Sequence, residues 1–87
     1  MRAVRKDENQ EVIVRALRAA GVSVFILHVP CDLLCLSGDR YYLLDVDGIT
    51  RNRKRDPKQL ETFAQFRIRL VASPEAALAA VGIHVDA

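Results

Sequence analysis

Two short apolar segments, separated by a turn, carry aspartates at matching positions. The segments are residues 31–36 and 41–47. A two-residue loop at residues 38–39, which a leading glycine favours, predicts a β-hairpin that sets Asp32 directly opposite Asp45. The same register gives two further pairs, Ser37 with Arg40 and Leu34 with Leu43.

Because side chains alternate across a strand, Asp47 shares the face of Asp32 and Asp45. Like charges set opposite in a ladder are destabilising, and a divalent cation held by oxygen ligands is one strong reason to keep them. The pattern therefore predicts that Asp32, Asp45 and Asp47 bind Mg²⁺ or Mn²⁺. The alternative is that these aspartates form turns and solubilise an open strand end.

The chain has the length and composition of one small domain. It contains 87 residues, of which 51% are apolar. Its apolar stretches are too short to span a bilayer and its first ten residues are polar, so we expect a cytoplasmic protein with no membrane partner. A core this small, without disulfides, also favours stabilisation as a homodimer.

Cys31 and Cys35 are the only cysteines. Their spacing on a strand puts them on one face, opposite to that of Asp32, and too far apart for a disulfide. Neither histidine is in ligand spacing with them, which argues against zinc. We expect two buried thiols in a reducing compartment.

Basic residues are concentrated in two stretches, although the net charge is only +2. Basic clusters beside an acidic site suit a polyanion such as DNA. The alternative is a solvated loop. The candidate nucleic-acid-binding residues are Arg5, Lys6, Arg51, Arg53, Lys54, Arg55 and Lys58.

The chain pattern predicts the element order α-β-β-β-α-β-α, an α/β fold with a small mixed sheet flanked by helices. Capping residues, apolar spacing and Pro or Gly positions set the bounds. The predicted elements are a helix at 8–20 with Asp7 as N-cap, a buried strand at 22–29, the hairpin, a helix from Pro57, a strand at 68–72, a helix from Pro74 to Ala80, and a short strand at 83–85.

Four stretches resemble motifs of one nuclease group. Asp-Glu-Asn-Gln at 7–10, Cys-Asp-Leu-Leu at 31–34 and Leu-Asp-Val-Asp-Gly at 44–48 are similar to motifs of the PD-(D/E)XK superfamily. The resemblance is closest to the VRR-Nuc and Holliday-junction-resolvase-like proteins of phages and bacteria, and the tail at 71–82 extends it. It implies a restriction-endonuclease-like fold.

The chain departs from this pattern at three positions. Cys31 stands in place of proline and Asp45 in place of glutamate, and the family's lysine is either deleted or replaced by Asp47. That lysine is expected to activate water and stabilise charge, and losing such a group commonly costs about 10²-fold or more in rate. Lys54 and Lys58 are the candidate replacements.

The resemblance implies that Asp32 and Asp45 are catalytic metal ligands and that Gln10 lines the site. We place Gln10 on the buried stripe of the first helix with Ile13 and Leu17. Its alternative role is to complete a capping box with the N-cap residue. The predicted catalytic set is Asp32, Asp45, Lys54, Lys58 and Gln10.

These features predict a Mg²⁺- or Mn²⁺-dependent endonuclease, a hydrolase that cleaves DNA, branched DNA above all, and acts as a homodimer. The missing lysine supports an alternative, a catalytically impaired relative that binds nucleic acid or a protein partner. A third hypothesis, a structural protein with no nucleic-acid role, requires both basic clusters to be incidental.

Overall fold

The computed structural model describes residues 6–47 and 57–83. The element order is α-β-β-β-α-β-α, as predicted. The elements are α1 (Lys6–Ala19), β1 (Ser23–Ile26), β2 (Leu33–Ser37), β3 (Arg40–Val46), α2 (Pro57–Phe66), β4 (Ile68–Val71) and α3 (Pro74–Ala80).

The four strands form one mixed sheet in the order β1-β2-β3-β4. β1, β2 and β3 are antiparallel neighbours, and β4 runs parallel to β3 after the α2 crossover. The predicted hairpin is confirmed, because Ser37 pairs with Arg40 and Leu34 with Leu43. Gly38 occupies the first turn position with φ 64°, a left-handed conformation that glycine adopts without steric cost.

One face of the sheet, here called the inner face, is covered by α1 and α3. Its side chains pack with the apolar stripe of α1 and with α3. Burial of these aliphatic groups is the main source of stability for a domain of this size. The fully buried large side chains are Ile13, Leu17, Leu33, Leu44, Val46, Cys31 and Cys35.

The predicted third helix is confirmed together with its cap. Ser73 has an extended backbone and its Oγ accepts a hydrogen bond from the Ala76 amide at 3.1 Å, while Pro74 begins the helix. Proline suits this position because its missing N–H would have no partner inside the helix.

Three sequence-based details are wrong. α1 begins at Lys6, so Asp7 lies within the helix and is not its N-cap. β1 is not a buried strand: it is a four-residue edge strand whose Phe25 is 67% exposed. Ile83 is not in a strand, and the rest of the predicted final strand lies outside the described residues.

No helix among the described residues is both long enough and apolar enough to cross a membrane.

Candidate functional site

The two aspartates of the hairpin lie where its ladder ends. Leu33 and Leu44 are the last paired residues, and Asp32 and Asp45 occupy the next position on each strand. Asp45 is 4% exposed, whereas Asp32 is half-buried. The hairpin geometry thus brings two of the predicted site residues to one end of the sheet.

The Asp32 carboxylate is fixed by the backbone of the neighbouring strand. Its Oδ2 accepts a hydrogen bond of 2.8 Å from the amide of Val46. The Asp32 side chain therefore supplies a hydrogen bond between the two strands just beyond the last backbone pair of the ladder. A carboxylate held in this way has a defined orientation, and the bond itself also stabilises the hairpin end.

Asp47 follows the end of β3 and is held there through its backbone. Its amide donates to the Val71 carbonyl at 2.9 Å, which extends the parallel β3–β4 pairing by one residue. Its carbonyl accepts a hydrogen bond of 2.6 Å from Nδ2 of Asn9. Its side chain is half-buried.

Asn9 is the residue of α1 that contacts the strand ends. Besides the Asp47 carbonyl, its Nδ2 donates to the carbonyl of Ala72 at 3.0 Å. One buried amide, 5% exposed, thereby joins the ends of β3 and β4 to the helix. This role of Asn9 was not predicted from the sequence.

Gln10 lies at the border of the buried stripe of α1, because it is only half-buried. Asn9 occupies the stripe, four residues before Ile13 and eight before Leu17, both of which are fully buried. Gln10 is half-buried and lines the groove between α1 and β1, beside Val14 and Ile26. The four-residue spacing of Asn9 from Ile13 was a signal in the sequence that could have identified the buried polar residue.

Both thiols are buried and free, as predicted. Burial raises the pKa of Cys31; a backbone hydrogen bond with Leu33 opposes this increase, and the charges of Asp45 and Asp32 add to it. Both carboxylates therefore lie within electrostatic range of the Cys31 sulfur. Burial and the neighbouring Cys31 raise the pKa of Cys35 to about 11.

Of the predicted basic residues, Lys58 has a described side chain. It is exposed in the first turn of α2, and its carbonyl accepts a hydrogen bond from the Thr62 hydroxyl at 3.0 Å. Lys6 begins α1. The remaining predicted nucleic-acid-binding residues lie outside the described residues, namely Arg5, Arg51, Arg53, Lys54 and Arg55.

Two carboxylates, those of Asp32 and Asp45, are the oxygen donors at the hairpin end. Across residues 6–47 and 57–83, no three His, Cys, Asp or Glu side chains are grouped to hold a metal ion. Asp32 and Asp45 supply carboxylate oxygens, and Mg²⁺ is commonly bound through one or two carboxylates with water completing its shell. The predicted three-ligand set of Asp32, Asp45 and Asp47 is therefore not found as a metal-binding group among the described residues.

No family model matches the sequence, no curated protein matches it, and no solved structure matches the fold. The resemblance to PD-(D/E)XK nucleases therefore stays a prediction from the motifs, whereas the mixed α/β sheet with its α-β-β-β-α-β-α order is established.

Proposed function

We propose that this protein is a divalent-metal-dependent endonuclease that hydrolyses DNA phosphodiester bonds. The observation that carries the proposal is the position of Asp32 and Asp45, one step beyond the last pair of the β2–β3 ladder, where two neighbouring strands deliver carboxylates to one end of the sheet. The resemblance of the surrounding motifs to PD-(D/E)XK nucleases supports the same reaction.

Each residue at this end has a role in the proposal. Asp32 and Asp45 would hold Mg²⁺ or Mn²⁺, whose chemistry when bound is to polarise a phosphate and lower the pKa of water. The Val46 amide orients Asp32. Asn9 keeps the end of β3 in place through the Asp47 carbonyl.

The basic residues would supply the contacts to DNA. Lys58 is exposed at the start of the helix that follows the acidic strand end. As a flexible point charge, lysine can both bind phosphate and replace the missing motif lysine, whereas arginine is a poor base because its pKa is too high. We propose a branched DNA substrate and a homodimer as its working state, both of which the resemblance implies.

A second candidate function follows from the same residues. Asp32 accepts a structural hydrogen bond from the Val46 amide, and the family's lysine is either deleted or replaced by Asp47. A site with extra carboxylate and no lysine would keep metal affinity better than catalysis, since the electrostatic clamp on phosphate is weakened. The alternative is therefore a nuclease-fold protein that binds nucleic acid or a protein without cleaving.

The test is cleavage of supercoiled plasmid and of a synthetic four-way junction in Mg²⁺, in Mn²⁺ and in EDTA. We expect metal-dependent cleavage that Asp45→Asn reduces by about 10²-fold or more. The matched control is Asp39→Asn, which removes the same charge from the exposed hairpin turn and leaves cleavage unchanged. Junction binding without cleavage in either metal would favour the second candidate.

A further inference from the structure

A groove of about 430 Å³ lies beside the first residues of β3, before the pairing of β3 with β4 begins. Leu43 and Ile68 form the first pair of these two strands. The groove is walled by the start of β3 on one side and by the end of α2 on the other. Its volume is within the range of about 300–1,000 Å³ that is usual for ligand-binding clefts.

The groove is lined by three arginines, namely Arg40, Arg67 and Arg69. Asp39 precedes Arg40 in the hairpin turn, but neither Asp39 nor another acidic residue of the described part lines the groove. On α1 the guanidinium of Arg15 is paired with Glu11 at 3.0 Å, whereas the three groove arginines make no ion pair with a described carboxylate. A cleft lined by one sign of charge concentrates the field and attracts a ligand of the opposite sign.

Arg67 lies at the groove in an uncommon backbone conformation. Its φ is 55°, in the left-handed region that favours glycine or asparagine just after a helix. A larger residue held there has a conformational cost, and residues of this kind are concentrated at functional sites. The turn itself would be better served by glycine, which indicates that the position is used for its charge.

Two exposed aromatic rings line the same groove. Tyr41 is 69% exposed and Phe66 is 52% exposed, and the half-buried Leu34 and Leu43 lie beside them. Arginines next to exposed rings are the combination with which proteins bind single-stranded nucleic acid, because the cations hold phosphates and the rings stack on unpaired bases. An acidic peptide would match the charges but would leave the rings without a partner.

The arginines are spread along the groove, which favours a strand over a single nucleotide. Arg69 is level with Leu44, four residues beyond Arg40 on β3. A strand advances about 3.3 Å per residue, so these two backbone positions are about 13 Å apart along β3. That distance is about four times the rise per nucleotide of a stacked strand. Arg69 is also one residue from the level of Asp45, so a strand in the groove leads toward the proposed metal site.

We infer that this groove binds a single-stranded DNA segment of about four nucleotides, whose phosphates contact the three arginines and whose bases stack on Tyr41 and Phe66. The inference rests on DNA as the ligand in the proposed function and adds a second contact surface to it. It does not depend on cleavage.

The test measures binding of a labelled oligothymidylate of about twelve nucleotides to the full chain by fluorescence anisotropy, in EDTA and at several salt concentrations. Tyr41→Ser should raise the dissociation constant by about fivefold or more, because a base loses its stacking partner. Tyr41→Phe is the matched control: it retains the ring and should bind within about twofold of the wild type.

Arg67→Gly tests the charge without disturbing the fold. It removes the guanidinium and places at φ 55° a residue that adopts this conformation readily, which circular dichroism verifies. The slope of log affinity against log salt concentration should decrease in magnitude by about 0.7, the value for one phosphate contact with a single strand, whereas Tyr41→Ser should leave the slope unchanged. Arg15→Gln removes the same charge from α1 and should change neither the affinity nor the slope.

Wild-type affinity in both Tyr41→Ser and Arg67→Gly would overturn the inference, and so would a wild-type chain that does not bind the oligothymidylate at low salt. Competition by thymidine monophosphate as effective as that by the unlabelled oligonucleotide would also overturn it, because the groove would then hold one nucleotide. Binding that the groove variants weaken, in a chain that cleaves no substrate, would support this inference without the nuclease. Cleavage by a chain whose binding ignores these variants would do the reverse.

Discussion

Asn9 joins three parts of the molecule through one side chain. Its amide lies on the buried stripe of α1 and donates to two carbonyls, those of Asp47 and Ala72, which come directly after β3 and β4. A buried amide is costly unless its hydrogen-bonding groups are satisfied. At this position it fixes the distance between the helix and the strand end that carries the aspartates.

Replacing Asn9 should therefore destabilise the fold. Asn9→Ala removes both hydrogen bonds and leaves two carbonyls without that donor, and we expect a loss of about 2 kcal/mol in the free energy of unfolding. Urea denaturation followed by circular dichroism measures it. Gln10→Ala, at the neighbouring half-buried position, is the control and should change stability by about 0.5 kcal/mol or less. Equal midpoints for wild type and Asn9→Ala would show that the two bonds are dispensable.

The buried thiol of Cys35 makes stability depend on alkaline pH. Its pKa is about 11 in the folded chain against 9.0 for an ordinary cysteine, so the unfolded chain loses the proton first as pH rises. The folded state then binds more protons than the unfolded state, and stability decreases between about pH 9 and 11.

Other groups titrate in this window, so the measurement is a comparison. Thermal unfolding of wild type and Cys35→Ala is followed from pH 8 to 11. The alanine variant is less stable at pH 8, where the thiol is protonated in both states, because a cavity replaces the sulfur. Its melting temperature should nevertheless decrease less steeply above about pH 9 than that of the wild type. Parallel curves would mean that the thiol does not contribute to the pH dependence.

At the scale of elements, the hairpin was the most predictable part of the sequence. A two-residue turn with glycine first leaves a single register, and that register also positioned Asp32 and Asp45. β1 was harder, because a continuous apolar run suits a buried strand and an edge strand alike. Its neighbours in the sheet, and not its composition, leave Phe25 exposed.

In the helices, too, features set by local sequence were predicted correctly, whereas features set by tertiary contacts were not. The Ser73-Pro74 cap is local chemistry and was predicted correctly. The start of α1 was placed too late. Gln10 was placed on the buried stripe, but the buried polar residue of that stripe is Asn9. α2 has helically spaced apolar residues, as predicted, yet none of its residues is buried and Leu60 is 52% exposed. Spacing predicts which side of a helix is apolar, but how fully that side is covered depends on tertiary contacts.

The site was predictable only in part. Asp32 and Asp45 follow from counting residues in the hairpin, whereas the hydrogen bond from Val46 to Asp32 depends on where the ladder stops. Asn9 could have been identified from its four-residue spacing to Ile13. The roles of Lys54 and Lys58 depend on how the basic stretch folds relative to the strands, which local patterns do not specify.

At the scale of the whole molecule, the two faces of the sheet differ in how they are covered. The inner face packs with α1 and α3 and provides the core. The outer side of β3 carries the exposed Tyr41 near the hairpin turn and the proposed metal ligand Asp45 at its other end.

The measurement that tests the central claim most directly compares wild type with Asp32→Asn on a four-way junction, recording cleavage and binding in the same Mg²⁺ buffer. Asparagine retains an oxygen that can accept the Val46 hydrogen bond, so the substitution removes the charge while preserving the hairpin end. We predict that cleavage by Asp32→Asn decreases by about 10²-fold or more while the junction dissociation constant stays within about twofold of wild type. Cleavage by Asp32→Asn at the wild-type rate would contradict the assignment of this carboxylate to the active site.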